Sequence, residues 1–482
     1  MTTVLAIDAG TTGVRTRAVF ADGRPSISSY REFPQYFPQP GWVEHDAEEI
    51  WSAVLETLRD VISRVTDIAA IGITNQRETV VAWNTSTGRA YAKAIVWQDR
   101  RTASMCESLA SSLPLVRKTT GLVLDPYFSG TKAAWLLQHG VPDTADLAIG
   151  TIDSWLIWKL TGGASFVTDS TNASRTMLFD INTMSWSSEM CTLLGVPMHA
   201  LAQVLPSSGH FGSTSVEGLP TGIAITGVAG DQQAALFGQA CFDIGMAKNT
   251  YGTGSFVLLN IGSKCPPPTD GMLTTVAWDL GDGSPTYALE GSIFVTGAAV
   301  QWLRDGLGII ETSAEIGPLA QSVTDTGGVY VVPAFTGLGS PWWDPHARGT
   351  IVGITRGTTR AHIARAVVES MVFQTRDAID AMTQASGVPL AELRVDGGAC
   401  VMDFMLQHQA NELAVPVLRP IDTETTALGA AFLAGLAVGV WPSLEAIRQT
   451  WQLDARFEPG AMSGNYAQWT RAVQRSLRWD TD

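Results

Sequence analysis

The chain has 482 residues, 45% of them hydrophobic, which exceeds one ordinary core and sets an expectation of two domains. Its formal net charge of -15 argues against nucleic acid and anionic membrane as partners, because proteins that bind phosphate polymers present a basic face. A phosphate bound here must be held locally, by backbone N–H groups, a metal ion or single Arg and Lys side chains.

The five cysteines (Cys106, Cys191, Cys241, Cys265, Cys400) are dispersed without CxxC spacing. That suggests neither a disulfide framework nor a thiolate metal site, and it suits a reducing cytoplasm. Residues 1–8 lack a basic start followed by a long apolar core, and Asp8 interrupts them, so no signal peptide is expected. The longest apolar run, residues 427–441, carries Gly429, Gly435 and Gly439 and stops at Pro442. It reads as a buried helix, since a membrane span needs about 20 residues. The histidines show no HxxxH or HExxH spacing, so no zinc site is expected.

At the N-terminus, residues 4–7 read as a strand, residues 8–13 (DAGTTG) as a tight turn and residues 14–20 as a second strand. The turn offers amides and hydroxyls in one concavity, suited to phosphate oxygens, with Asp8 beside it able to hold hydrated Mg²⁺. An ordinary hairpin accounts for the same residues, because DAGTTG is neither a Walker loop nor a GxGxxG fingerprint. A long amphipathic helix starts at Asp46, with Glu49 at capping-box spacing and an apolar stripe of Ile50, Trp51, Val54, Leu55, Leu58, Val61, Ile62 and Val65. Residues 68–74, 79–83 and 90–97 then read as strands. Arg77 and Glu78 on the link between the first two read locally as a solvated pair, and Trp97 as one more core aromatic. Strands and helices continue to alternate through residues 150–160 and 172–179, the pattern of an α/β architecture.

The stretch GVAGDQQAALFG (residues 227–238) joins a buried strand over 223–228 to an apolar helix, with Gly230 at the turn and Asp231 opening the helix. From local sequence Asp231 reads first as the helix N-cap, and alternatively as a general base beside Gln232. Residues 249–255 (NTYGTGS) then repeat the opening theme ahead of a strand over 256–261. Two such turns suggest duplicated domains facing one cleft, residues 1–244 and 245–482. Further on, a strand over 393–396 runs through Gly397-Gly398 into a helix ending near Leu413. That junction allows close approach of a ligand, or is simply a tight turn. Helices over 359–382 and after Thr425 are expected to cover the second sheet, with Ala427, Gly429, Ala430 and Ala434 permitting close contact there.

Together these segments resemble the FGGY family of carbohydrate kinases over nearly the full chain. YFSGTKAAWLLQH (127–139) and GTIVGITRGTTRAHIARAVVE (349–369) are similar to the two family signatures. GITNQRET, IVWQDRRT, TNASRTMLF, GDQQAALFGQ and MAKNTYGTG resemble the members that phosphorylate glycerol. The resemblance implies an α/β fold of two ribonuclease-H-like (actin/hexokinase-type) domains around a central cleft where ATP, Mg²⁺ and the polyol meet. It implies that glycerol's hydroxyls contact Arg77, Glu78, Tyr127, Asp231 and Gln232, with Trp97 and Phe256 against its carbons. Asp231 is then the general base for in-line transfer of the γ-phosphoryl group. On the nucleotide side it implies Thr11, Thr12, Gly13 and Arg15 from the first turn, Thr253 from the second, then Gly297, Gln301, Gly398 and the position of Met402. Asp8 and Asp231 are the implied metal carboxylates.

Two departures stand out. Met402 occupies a position where the family commonly has Asn, so a side-chain contact to adenine is in doubt and looser nucleotide selectivity is expected. Residues 211–230 contain no Arg or Lys, so the sugar-bisphosphate regulation of some bacterial members is not expected. An FGGY kinase for another polyol or a pentulose, and an actin-like ATPase switch, remain open as alternatives. Assembly as a homodimer or homotetramer is likewise open.

Overall fold

The Gly/Thr turn that follows the first apolar run reverses the chain, and the runs on either side pair as antiparallel strands. The computed structural model describes residues 2–462 and 464–480. β1 (Thr3–Ala9), β2 (Gly13–Phe20) and β3 (Ile27–Glu32) form a meander, α1 (Ala47–Ile62) follows, and β4 (Ile68–Asn75) returns parallel to β1. β5 (Ser208–Ser213) and β6 (Ala224–Gly230) complete a six-stranded sheet in the order β5-β6-β4-β1-β2-β3.

After α2 (Asp231–Gly238) the scheme recurs with β7 (Met246–Tyr251), β8 (Ser255–Gly262), β9 (Leu273–Trp278) and β10 (Thr286–Ile293). Next come α3 (Gly297–Gln301), α4 (Arg360–Ser386), β11 (Glu392–Gly397), α5 (Asp403–Leu413), β12 (Val417–Pro420), α6 (Thr425–Ala437) and β13 (Leu453–Phe457). The second sheet has seven strands in the order β9-β10-β8-β7-β11-β12-β13. Strand senses match between the halves. β3-β2-β1-β4-β6 and β10-β8-β7-β11-β12 both run through two antiparallel and then two parallel pairings. The duplication expected from the two turns is therefore present in the sheets.

α1 forms as its pattern predicts. Asp46 caps it by accepting the Glu48 N–H at 2.9 Å, and Ile50, Trp51, Val54, Leu58 and Val61 are buried. The capping box is not formed, because the Glu49 carboxylate accepts the Tyr36 hydroxyl at 2.8 Å instead. The strand expected over 90–97 contracts to Ala94–Ile95, with Ala90 keeping one isolated bridge to Trp83. All five cysteines are free, four of them buried. Among the described residues no helix is long and apolar enough to cross a membrane.

The largest departure concerns α6. It does not cover the second sheet but packs on the first, in one core with Val4, Ala6, Ala70 and Ala229, while α2 in the same core reaches Leu258 and Ala288 of the second. α2 and α6 thus form a middle layer between the sheets. Glycine makes the spacing possible. A Cβ on Gly72 would strike the Ala430 carbonyl, one on Gly227 the Ala434 amide, one on Gly238 the Thr425 carbonyl and one on Gly429 the Ala234 carbonyl. Backbone cannot yield as a side chain can, so these contacts fix how close the two halves lie.

Gly429→Ala tests that spacing. A helix interior gains roughly 1 kcal/mol from Gly→Ala, yet overpacking against backbone costs about 1–3 kcal/mol. We expect a net loss of stability in denaturant titration, and a stabilised variant would refute the tight crossing.

Candidate active site

The parallel strands β1, β4 and β6 end along one edge of the first sheet. Asp8 lies opposite Thr74, and Ala229 and Gly230 lie opposite Thr74 and Asn75. Whatever follows each strand must emerge at that edge, where open α/β sheets bind ligands. The segments are the Gly/Thr turn after β1, Arg77-Glu78 after β4 and Asp231 after β6, so three sequence-remote candidates converge because their strands share register.

Arg77 and Glu78 are not a solvated pair. They are 2% and 1% exposed, and Glu78 has a positive φ of 63°, a strained backbone for a non-glycine residue. Both belong to a buried charge network. Arg77 grips Glu290 with two nitrogens, one of them at 3.1 Å, while Arg175 donates to Glu78 at 2.7 Å and to Glu290 at 2.9 Å. Burial pushes the Glu290 carboxyl up, but Arg175 and Arg77 outweigh it and draw it down to about 2. Glu78, with weaker compensation, is held above the usual carboxylate range by its burial.

Asp231 stands at the mouth of this network, its side chain 31% exposed, with Oδ1 3.2 Å from Arg77 Nε. It is not the N-cap. Gly230 occupies that position, and Asp231 is the first helical residue, its Oδ1 accepting the Gln232 N–H at 2.7 Å. Arg77 also donates to Gln233 and to the Tyr127 hydroxyl, each at 3.2 Å. Trp97 is not a core aromatic. It stands half-buried and edge-on to Tyr127 (5.7 Å) and Phe256 (6.4 Å), and its Nε1 donates to Thr11 Oγ1 at 3.0 Å, joining the aromatic wall to the first turn.

The second sheet repeats the edge. Tyr251 lies opposite Gly397 on parallel β7 and β11, which sets the Gly252–Thr253–Gly254 turn beside the Gly397-Gly398 junction. Gly252 and Thr253 are exposed, Gly398 has open space around its Cα, and Gly297 packs so closely on the Gly252 carbonyl that a side chain would collide. Gln301 is exposed on α3, and Met402 packs against Gly317 on the helix Ile316–Gln321. In the first turn Thr11 is half-buried, Thr12 exposed, and Gly13 is pressed under Tyr30 and the Arg31 carbonyl. Arg15 is engaged by Glu424 at 2.9 Å.

Burial, Asp231 and Glu424, in that order, push the Asp8 carboxyl up to about 7, with Arg15 opposing. Neighbouring carboxylates suit a hard divalent cation, which needs only one or two protein oxygens besides water. Among the described residues no group of three or more ligating side chains forms a metal cage.

The model of the FGGY family of carbohydrate kinases matches residues 3–238 with its N-terminal domain and residues 247–438 with its C-terminal domain. The chain belongs to the FGGY family of carbohydrate kinases. It is 53% identical to glycerol kinase 2 of Thermotoga maritima over 99% of both chains, and 52% identical to glycerol kinase of Bordetella parapertussis over 99% of this chain and 97% of that one. Among solved structures, it superposes on Plasmodium falciparum glycerol kinase with ADP at a TM-score of 0.93 and 36% identity, covering 99% and 98% of the chains. A xylulose kinase from Lactobacillus acidophilus, 22% identical over 99% and 97% of the chains, shares the fold at a TM-score of 0.89. The expected FGGY fold, two actin/hexokinase-like domains, is thereby established.

Sequence reasoning missed Glu290, Arg175, Gln233 and Lys248 as members of this site. A lone glutamate inside the apolar strand TYALEGSI signals a buried partner, but nothing local names it. Glu290→Gln should cost about 3 kcal/mol or more, because it removes the carboxylate that two buried guanidiniums share; denaturation of the purified variant measures it.

A second prediction concerns His45, fully buried and pushed down to about 4 from its ordinary 6.5 by desolvation. Its Nδ1 meets Gln76 Nε2 at 3.2 Å, and the same nitrogen donates to the Gly10 carbonyl of the first turn at 3.1 Å. The folded state resists the proton, so this stability is complete above pH 6.5 and is lost as pH falls towards 4. At about 1.4 kcal/mol per unit the loss is on the order of 3 kcal/mol. His45→Gln should flatten that limb of the stability–pH curve.

Proposed function

We propose that the chain transfers the γ-phosphoryl group of ATP to glycerol, giving sn-glycerol 3-phosphate. The observation that carries the reading is the convergence of Arg77, Glu78, Tyr127, Asp231 and Gln232 with Trp97 and Phe256 at one edge, in a chain more than half identical over its length to named glycerol kinases. A small polyol has hydroxyls to satisfy and C–H groups to cover. The buried polar side supplies the first need and the aromatic wall the second, and a ligand lacking a hydroxyl would leave a buried group unpaired. The same wall narrows the space for a pentulose.

Asp231 Oδ1 is occupied by Arg77 Nε and the Gln232 N–H, which leaves Oδ2 to take the proton of the attacking hydroxyl. Asp231 also sits in the first turn of α2, at the positive end of the helix dipole. Asp8 and Asp231 would hold Mg²⁺, which when bound offsets charge on the transferring phosphoryl group. Thr11, Thr12, Gly13 and Arg15 from the first turn and Thr253 from the second would receive phosphate oxygens, the Gly10 and Gly252 amides being already committed to the Gly13 and Gly254 carbonyls, and Gly297, Gln301, Gly398 and Met402 would flank the nucleoside. With Met402 packed on Gly317, selectivity for adenine would rest on shape rather than a side-chain hydrogen bond. Residues 1–244 and 245–482 serve as the two functional halves, with α6 reaching back over the first.

Glycerol-dependent ADP release from the purified protein with Mg²⁺ tests the reaction, and a panel of polyols and pentuloses tests its substrate. ATP turnover indifferent to every polyol would instead favour an actin-like switch. Asp231→Asn should keep glycerol binding while turnover falls about 10²–10⁴-fold, the usual contribution of a positioned base. Undiminished turnover would remove Asp231 from that role.

A further inference from the structure

Gln232 lies beside the proposed base, yet an amide can turn either end to a ligand. Its oxygen accepts from a substrate hydroxyl and its nitrogen donates to one. Which end faces the ligand is set by what holds the amide. In this chain the holder is Lys248, fully buried on β7. Its ammonium donates to Gln232 Oε1 and, at 2.9 Å, to Thr250 Oγ1. An ammonium has three donors and no acceptor, so the atom of Gln232 that meets it must be the oxygen. Among the described residues no hydrogen bond uses Gln232 Nε2.

Lys248 is also an unusual buried lysine. Charged side chains at this depth ordinarily pair with a carboxylate, because an unpaired ion loses its hydration without return. Here the direct partners are a neutral amide and a hydroxyl, and among the described residues no carboxylate lies within ion-pair distance. Burial pulls the ammonium down to about 8, while Asp396 and Asp231 support its charge from further away. A leucine or methionine would fill the space at lower cost.

We propose that Lys248 is a positioning residue that fixes the polarity of the polyol site, turning Gln232 so that only N–H donors face the substrate. The inference rests on glycerol occupying the Asp231–Gln232 corner. A hydroxyl shared by the two residues then accepts from Gln232 Nε2 and has its own proton directed at the Asp231 carboxylate, the direction in which general-base catalysis must move it. With the amide reversed, Gln232 would compete with Asp231 for that proton. Lys248 thus lets a residue on the second sheet set proton direction on a base carried by the first half.

The test uses the full-length protein at pH 7 and reads glycerol KM, ATP KM and kcat by coupled ADP release, with melting temperature alongside. Lys248→Met frees the amide, and glycerol KM should rise about tenfold or more with ATP KM nearly constant, the size expected for a lost charge-assisted hydrogen-bond arrangement. Lys248→Arg keeps a donor-only cation and should restore most of that loss. Gln232→Glu is the decisive variant. It converts the contact with Lys248 into an ion pair, so the melting temperature should hold or rise, yet it presents an acceptor to the polyol, and glycerol KM should rise more than about tenfold. Wild-type glycerol KM in Gln232→Glu would mean that the oxygen faces the substrate and would overturn the proposal. So would a Lys248→Met protein that melts earlier but keeps its glycerol KM, because the lysine would then be structural only. Absence of glycerol-dependent turnover in the wild type would instead sink the reaction itself, and calorimetric glycerol titration of wild type against Gln232→Glu would still decide the polarity, equal or absent binding counting against it.

Discussion

Two arginines and two glutamates sealed from water tie the two sheets together at the cleft. Glu290 comes from the middle of β10 and Arg77 from the link that follows β4, while Arg175 touches both Glu290 and Glu78. None could be buried alone, since desolvating one charge costs more than the local fold could return. Glu290 stays ionised only because two guanidiniums reach it from outside its own sheet. The network is therefore complete only when both halves are assembled, because Glu290 has its two guanidinium partners in the first half.

That constraint needs the sheets at one particular distance, and the glycines supply it. Gly72 and Gly227 on the first sheet admit α6, while Gly238 and Gly429 admit α2 and α6 to one another. Close-packed backbone and paired charges work differently. The first has no polarity and sets separation, whereas the second sets register, because a guanidinium meets a carboxylate in few geometries. Together they hold Asp231, on the first turn of α2, against Arg77 to within a hydrogen bond.

Local elements were legible in the sequence where one period or one turn dictates them. The paired Gly/Thr turns, the stripe of α1 and the strand-to-helix junction at Asp231 all form nearly as read. The errors share a cause. Arg77-Glu78 looks solvated because charge in a short link usually is, and its burial depends on Glu290, 213 positions away from Arg77. The 425–437 segment is apolar all round, so its composition announces close packing without naming the sheet it meets. Asp231 reads as an N-cap because Asp favours that position, but Gly230 already adopts the extended capping conformation and moves the carboxylate one residue into the helix. The functional weight of Arg77, Glu78 and Trp97 was visible only through family resemblance, since no local rule separates a cleft residue from a core one.

An acidic chain that handles a polyanion must place positive charge sparingly, and the site does so by committing nearly every cation to the protein. Arg77 and Arg175 are held by Glu290 and Glu78, Arg15 by Glu424, and Lys248 by Gln232 and Thr250. What would remain for phosphate under the proposed reaction is the two Gly/Thr turns and the Asp8 and Asp231 carboxylates, which would repel it unless they held a divalent cation. Under the proposed reaction, nucleotide binding would thus be coupled to metal rather than to a fixed lysine or arginine, and the cations within the protein would serve to orient the groups that face the polyol.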